Sequence, residues 1–281
     1  MPPSPPPAGR GARSVRPRAL VRRAGTSLVP PVRRLVAERD ALRSEVEELR
    51  RRSARPDLDY LFVMTYGRSG STLLQAILNS VPGVLIRGEN RGITYHLHEY
   101  HRSAVKDAAW IGKAGRRKVN PFFGIRDYPA EVALARCRDL VLDTLLRPHP
   151  ATKVVGFKEI RWYQDDLADY VQFIRDVFPG ARFIVNTRRL EDVARSSWWA
   201  DREDPLGQLT VIEDRILAVA ATLGDAAFHL RYDDYKDDPV QLRKLFDWLG
   251  FAFDEKRIRE VMATEYARMP DSPKQREEEQ S

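Results

Sequence analysis

The sequence predicts an α/β fold with a central parallel sheet flanked by helices, preceded by an N-terminal helical extension. Short runs rich in β-branched and aromatic residues alternate with longer runs at helical spacing. Alternation of this kind is typical of parallel strands joined by crossover helices. Each short apolar run ends in a polar cluster. Because ligands bind beyond the carboxyl ends of parallel strands, we expect the chemistry to lie in those clusters.

The pattern assigns the elements in chain order. Strands are predicted at 60–65, 83–86, 153–157, 182–186 and 227–231. Helices are predicted at 71–79, 167–178, 191–200, 239–249 and 255–263. A further amphipathic run, 130–146, contains the only cysteine, Cys137, which we expect to be a buried apolar residue rather than a nucleophile. One cysteine excludes a disulfide framework.

The helical extension is predicted over 32–55, where apolar residues recur at alternating spacings of three and four, with Arg39 interrupting the series. This coiled-coil-like helix would either pair with a second copy through residues 32–50, giving a homodimer, or pack on the domain. The main domain is predicted at 57–268, between disordered tails at 1–31 and 269–281.

The net charge of +7 is spread unevenly, because residues 1–37 contain eight arginines and no acid. We interpret this arm as a solvated tail, with anionic lipid, nucleic acid or an organelle-targeting role left open. No apolar stretch approaches the roughly 20 residues of a membrane span. The expected location is therefore the cytoplasm, with membrane contact at most peripheral and no nucleic-acid partner.

A glycine-containing loop joins the first predicted strand to the first helix, reading Tyr66-Gly-Arg-Ser-Gly-Ser-Thr72. Glycines let backbone amides turn inward, the helix N-terminus adds partial positive charge, and Arg68 supplies a forked cationic donor. A phosphate is the natural ligand, and the alternative is a tight turn with helix-capping serines. The loop lacks the Lys-Ser/Thr pair of nucleoside triphosphatases, and we find no apolar strand ending in their magnesium-binding acid.

The segment TYGRSGSTLL, residues 65–74, resembles the 5′-phosphosulfate loop of sulfotransferases that use 3′-phosphoadenosine 5′-phosphosulfate (PAPS). Arginine at position 68 is similar to the bacterial, tyrosylprotein and carbohydrate branches. The resemblance implies a P-loop-like fold and PAPS as co-substrate. It assigns the 5′-phosphate to residues of this loop, with Arg68 also near the sulfuryl group: Arg68, Ser69, Gly70, Ser71 and Thr72.

Two later segments extend the resemblance to residues 58–265. In 182–199, Arg188 at a strand end and Ser196 eight positions later match the pair that clamps the 3′-phosphate, with the serine expected about one turn into the following helix. In 229–250, Tyr232 matches a residue near the adenine or the phosphates. Outside the resemblance, Tyr232 could instead be a buried tyrosine with a bonded hydroxyl.

Sulfuryl transfer needs a base for the acceptor proton and cations that stabilise developing charge, and it requires no metal. Glu89, 21 positions beyond Arg68, matches the catalytic glutamate of the tyrosylprotein branch; a salt-bridged surface glutamate is the alternative. Lys158 resembles a lysine placed near the sulfuryl group and is expected to stabilise the leaving group. The sequence thus predicts transfer to a hydroxyl or amine of an acceptor, such as a glycan, a glycolipid or a small metabolite.

Several features stay open at this stage. His96, His98 and His101 are too loosely spaced for a metal site, so we expect acceptor contacts or a helix surface. Four tryptophans are either acceptor platforms or core residues: Trp110, Trp162, Trp198 and Trp199. We expect acceptor-selecting loops at 90–128 and 200–210. The rival functions are a nucleotide- or phosphate-binding module without turnover, and a polyanion binder that uses the basic arm.

Overall fold

The computed structural model describes residues 57–264 of the chain, together with Leu35 and Arg39, which are helical. The predicted tails, 1–31 and 269–281, lie outside the described residues. So does the rest of the coiled-coil-like helix at 32–55. The domain boundaries and the homodimer therefore stay predictions.

Within residues 57–264, five parallel strands form one sheet in the order β2-β3-β1-β4-β5. Their bounds are Asp59–Met64 for β1, Val84–Arg87 for β2, Val154–Glu159 for β3, Arg182–Thr187 for β4 and Ala227–Arg231 for β5. Every predicted strand is confirmed, with ends that differ by at most two residues. The α/β fold class is confirmed with them.

The central strand β1 supplies both halves of the core. Tyr60, Phe62 and Met64 belong to the apolar cluster on one face of the sheet, while Leu61 and Val63 belong to the cluster on the other. Side chains alternate between faces along a strand, so a continuous apolar run is buried on both sides. The result is a sheet between two helical layers.

The helices cover these two faces. In chain order they are α1 Ser71–Asn79, α2 Ile93–Ile111, α3 Ala130–Val141, α4 Leu167–Val177, α5 Leu190–Ala194, α6 Pro205–Thr222, α7 Tyr232–Tyr235, α8 Arg243–Leu249 and α9 Glu255–Met262. A π-helical turn, Leu142–Leu146, continues α3, so the amphipathic run at 130–146 is helical, and Cys137 in it is buried. None of the helices in residues 57–264 combines the length and apolar character that a membrane span needs.

The expectation of acceptor-selecting loops at 90–128 and 200–210 is wrong in part, because α2 occupies 93–111 and α6 begins at Pro205. The buried residues of α2 are Thr94 and His98. Hydrophobic periodicity could not reveal a helix whose buried positions are polar.

The single helix predicted at 191–200 is also wrong. Helix α5 ends at Ala194, Ser196 is extended, and Ser197 has a φ of 52° before a short 3₁₀ turn, Ser197–Trp199. Trp199 is buried and donates a hydrogen bond from Nε1 to the Gly67 carbonyl at 3.1 Å. This contact with a loop 132 positions earlier in the chain replaces the local helical preference.

Candidate functional site

The carboxyl edge of the sheet collects the residues that the sequence singled out. Each strand delivers one part: the loop 65–72 follows β1, Glu89 follows β2, Lys158 lies near the end of β3, Arg188 follows β4 and Tyr232 follows β5. All five strands are parallel, so these ends lie along one edge. Neighbouring strands are only about 4.8 Å apart. The edge therefore gathers residues that span more than 160 positions of sequence.

The loop after β1 has the backbone geometry of an anion site. Arg68 and Gly70 have φ values of 70° and 80°, in the left-handed region. Helix α1 starts directly after Gly70 and has no side-chain cap. The Leu73 amide donates to the Gly70 carbonyl at 3.0 Å, whereas no hydrogen bond within the described residues uses the amides of Ser71 and Thr72. These two amides are open to an external acceptor, and the helix dipole favours a negative one. Ser71 lies at the first position of this helix and Thr72 at the second.

Buried hydrogen bonds fasten this loop to β4. The Thr65 hydroxyl lies 2.6 Å from the Asn186 carbonyl and 2.6 Å from Ser69 Oγ. Asn186 Nδ2 donates to the Ser69 carbonyl at 3.0 Å, and its Oδ1 accepts from the Tyr235 hydroxyl at 2.9 Å. All four residues are fully buried. Sequence reasoning missed Asn186, although a polar residue inside an apolar strand is a usable signal.

The two phosphate motifs meet in space. Arg68 Nε donates to Ser196 Oγ at 3.0 Å, and Arg188 Nη1 donates to the Arg68 carbonyl at 3.1 Å. Ser196 lies beyond the end of α5, not one turn into it as expected. Arg188 Nε is buried and has no hydrogen-bond partner among the described residues. A cationic donor without an acceptor suits an anionic ligand.

Tyr66 positions the backbone of Arg188. Its hydroxyl accepts a hydrogen bond from the Arg188 amide at 2.9 Å and lies 2.5 Å from Glu213 Oε2 on α6. Burial, followed by the bond with Glu213, raises the pKa of the Tyr66 phenol, so the hydroxyl keeps its proton. Burial also raises the pKa of the Glu213 carboxyl, an effect that the Tyr66 bond opposes.

Tyr232 packs on the phosphate loop. A Cβ added to Gly70 would lie 2.1 Å from the Tyr232 ring, so only glycine fits there. The Arg188 guanidinium lies 5.1 Å from the centre of the same ring, within cation-π range. The buried tyrosine with a bonded hydroxyl, the alternative considered for Tyr232, is instead its neighbour Tyr235.

Glu89 and Lys158 form an ion pair, with Lys158 Nζ 2.5 Å from Glu89 Oε1. The Lys158 side chain is 5% exposed and that of Glu89 is 32% exposed. Glu89 is therefore salt-bridged, as the alternative to a catalytic role predicted. Its partner, however, is Lys158, the other residue that the sequence assigned to catalysis. Among the described residues no hydrogen bond reaches Glu89 Oε2, which leaves that oxygen available to another partner.

A residue that sequence reasoning missed holds the loop carrying Glu89. Glu159 is fully buried at the end of β3. Its Oε2 accepts from the amides of Asn90 and Gly92 at 3.0 and 3.1 Å, and its Oε1 from those of Ile160 and Arg161 at 2.8 and 3.1 Å. An apolar strand does therefore end in an acid, contrary to the sequence analysis. Its oxygens are occupied by backbone donors.

The histidines and tryptophans separate by environment. His98 is buried and bonds Asp166 at 3.1 Å, whereas the side chain of His96 is 74% exposed. Trp162 and Trp199 are buried, so they are core residues. Trp198 is 41% exposed, and its ring lies against Gly67. In residues 57–264, no three His, Cys, Asp or Glu side chains cluster as a metal site would require.

Three solved structures are similar to the chain. The sulfotransferase domain of the Synechococcus PCC 7002 olefin synthase is 19% identical, with a TM-score of 0.48 over 74% of this chain and 78% of that one. The sulfotransferase domain of the curacin biosynthetic pathway is 17% identical, with a TM-score of 0.48 over 74% and 79%. A sulfotransferase from Mycobacterium avium is 16% identical, with a TM-score of 0.42 over 74% and 68%.

The family assignment depends on sequence rather than on these structures. No curated protein sequence is significantly similar to the chain. The sequence model of the sulfotransferase family, in contrast, matches residues 60–255, which are more than two thirds of the chain. This range includes β1 from its second residue, the whole of β2 to β5 and every residue of the site described above. The chain therefore belongs to the sulfotransferase family.

Proposed function

We propose that this sulfotransferase takes the sulfuryl group of PAPS and transfers it to a hydroxyl or amine of an acceptor in the cytoplasm. The observation that supports the proposal most is the meeting of Arg68, Ser196 and Arg188 at one end of the sheet. These residues come from motifs about 120 positions apart, and the pairing of β1 with β4 brings them together so that two arginines lie side by side. A bisphosphate nucleotide carries an anionic group for each arginine.

The donor would bind in two parts. The open amides of α1, together with Arg68, Ser69, Ser71 and Thr72, would hold the 5′-phosphosulfate, because anions suit an uncapped helix N-terminus. Arg188 and Ser196 would hold the 3′-phosphate. The buried, unpartnered Nε of Arg188 supports this role, since an unsatisfied buried cationic donor is costly. Tyr232 would orient Arg188 through its ring.

In the transfer step, the acceptor oxygen or nitrogen forms a bond to sulfur while the bond from sulfur to the bridging phosphate oxygen breaks. The acceptor proton passes to Glu89, whose Oε2 is open while Oε1 pairs with Lys158. Lys158 and Arg68 stabilise negative charge on the sulfuryl and bridging oxygens. The products are a sulfated acceptor and adenosine 3′,5′-bisphosphate, and no metal takes part.

The donor site is tested by calorimetric titration of the protein with adenosine 3′,5′-bisphosphate and with adenosine 5′-phosphate. We expect preference for the bisphosphate, and a loss of roughly 10- to 150-fold in affinity in Arg188→Ala, from the loss of charged hydrogen bonds. Arg195→Ala is the matched control, because that arginine is 74% exposed and pairs with Asp192. Equal affinity for both nucleotides, or none, would contradict the proposal.

Turnover is tested separately with labelled PAPS and a panel of phenols, sugars and amines. Glu89→Gln should lower transfer by roughly 100- to 10,000-fold, the usual range for losing a general base, with bisphosphate affinity unchanged. A binding module without turnover predicts bisphosphate binding and no labelled product with any acceptor. A polyanion binder predicts neither, with binding that depends on residues 1–37.

A further inference from the structure

We propose that residues 110–126 are a docking surface for an anionic lipid bilayer. This segment, which we call the basic-aromatic lobe, connects α2 to the short 3₁₀ turn Ile125–Asp127. It is distinct from the basic arm at 1–37. The inference is independent of the proposed transfer step, because it uses none of the residues that would bind the donor or take the acceptor proton.

The lobe is positively charged without compensation. Its exposed cations are Lys113, Arg116, Arg117 and Lys118, and residues 108–126 contain no acid. A fifth cation, Arg126, is half-buried with its Nη1 fully buried. Within residues 57–264, no carboxylate forms an ion pair with any of them. Uncompensated lysines and arginines near a membrane surface are attracted to anionic headgroups, and the effect is additive for a cluster.

The same lobe exposes large apolar side chains. Val119 is 85% exposed, Trp110 76%, Phe123 52% and Phe122 48%. Single exposed apolar residues are ordinary, but four within 14 positions, interspersed with cations, form a patch. Tryptophan and phenylalanine beside arginine and lysine are the residues that insert at the boundary between headgroups and acyl chains.

These side chains are held on an ordered scaffold. The rings of Trp110 and Phe122 pack edge to face, with centroids 6.2 Å apart. The Gly124 amide donates to the Gly115 carbonyl at 3.2 Å, which closes the segment on itself. Gly115 in turn lies against Ile111, since a Cβ there would come within 2.8 Å of the Ile111 side chain. The apolar groups therefore need little additional ordering on insertion.

The position of the lobe leaves the catalytic edge open. Helix α2 begins just after Gly92, which the Glu159 carboxylate binds, and it runs for 19 residues before the lobe. At 1.5 Å per residue this separates the two ends by about 28 Å. The lobe therefore lies at the end of α2 that is remote from the loop that carries Glu89. Val119, the most exposed of the four apolar side chains, is aliphatic, and an aliphatic side chain inserts among acyl chains but does not stack on bases, which favours a bilayer.

The test is sedimentation of the full chain with vesicles, comparing pure phosphatidylcholine with an equal mixture of phosphatidylcholine and phosphatidylglycerol. We expect binding only to the mixture. Val119→Ser/Phe122→Ser/Phe123→Ser, which keeps every charge, should bind about 10-fold more weakly or worse. The matched control is Leu206→Ser/Val211→Ser/Val240→Ser, three exposed apolar residues elsewhere. It should bind like the unmodified protein.

Trp110 gives a second readout. Vesicles containing brominated lipid should quench part of the fluorescence, and Trp110→Phe should remove that part. Unchanged vesicle binding by the Val119/Phe122/Phe123 variant would overturn the proposal and assign the binding to residues 1–37. Absence of binding to the anionic vesicles would also overturn it. If the protein then binds heparin, the basic residues recognise a soluble polyanion and not a bilayer.

Discussion

The two sides of the site are held in different ways. The donor side, residues 65–72, is fastened to β4 by several buried neutral hydrogen bonds through Thr65, Ser69 and Asn186. The loop that carries Glu89 has one buried support, the Glu159 carboxylate, which accepts from the Asn90 and Gly92 amides of the loop and from two amides after β3. An exposed hydrogen bond from Arg161 Nη1 to the Arg91 carbonyl adds to it. The donor side thus distributes its buried support over several residues, whereas the catalytic loop concentrates its buried backbone support in one residue.

This difference implies that binding and turnover can be separated by mutation. Losing one of several neutral hydrogen bonds costs roughly 0.5–1.5 kcal/mol, and the remaining bonds keep the phosphate loop in place. Losing a buried charge that several amides share removes all of their acceptors at once. Substitutions on the catalytic side should therefore lower turnover with little effect on nucleotide affinity.

Among substitutions of residues that support the two sides, Glu159→Gln has the largest expected effect. Glutamine keeps one acceptor oxygen, but its NH₂ group would face two backbone amides, and each unsatisfied buried amide costs about 1–3 kcal/mol. Glu89 would lose its position against Lys158. We expect transfer from labelled PAPS to fall roughly 100-fold, toward the loss of the base itself.

The control measurement is the affinity of Glu159→Gln for adenosine 3′,5′-bisphosphate, which should stay within about two-fold of the unmodified value. This pattern distinguishes a positioning role from general damage to the fold. Affinity and turnover falling together would mean that Glu159 supports the whole sheet edge and that the comparison between the two sides is wrong.

The next effect is on the donor side. Gly70→Ala introduces a Cβ at a φ of 80° and 2.1 Å from the Tyr232 ring, so the loop must move. We expect bisphosphate affinity, measured by calorimetry, to fall roughly 10- to 100-fold, through the left-handed backbone cost and the displaced ring. Gly180→Ala is the matched control, since Gly180 has a φ of 78° and nothing within 4 Å. It should lower thermal stability slightly and leave the affinity unchanged. Equal losses of affinity in both variants would show a general loss of stability and contradict the role of the Gly70–Tyr232 contact.

The smallest effect concerns Glu213, which anchors the Tyr66 hydroxyl. Because burial raises the pKa of Glu213 in the folded protein, its contribution to stability is fully present below pH 4.5 and is lost as the pH rises through the folded pKa. Glu213→Gln does not titrate but keeps an acceptor for Tyr66. The Tm of Glu213→Gln should rise relative to that of the unmodified protein between pH 4.5 and 7, by at most about 4 °C. Thermal melts in which the Tm of Glu213→Gln falls relative to that of the unmodified protein between pH 4.5 and 7 would contradict this role of burial.

The strands and the loop after β1 could be predicted because their signals are local. The apolar run of β1 and the glycines that follow it are both readable within ten residues. Helix α2 was missed because its buried positions are Thr94 and His98, and the break at Ser196 was missed because a distant loop causes it. Glu159 follows Lys158 directly, and an acid at the end of a buried strand was a signal that could have identified it.

The sequence by itself determined the five strands, the helix after the phosphate loop and the family motifs, since all of these depend on neighbouring residues and on side-chain periodicity. Only the tertiary structure decided that Lys158 pairs with Glu89, that Glu159 holds the loop that carries Glu89, and that Arg68 bonds Ser196. These contacts join residues 69 to 128 positions apart. Their geometry depends on which strands are adjacent in the sheet and on which polar groups are buried, and neither is encoded in a local pattern.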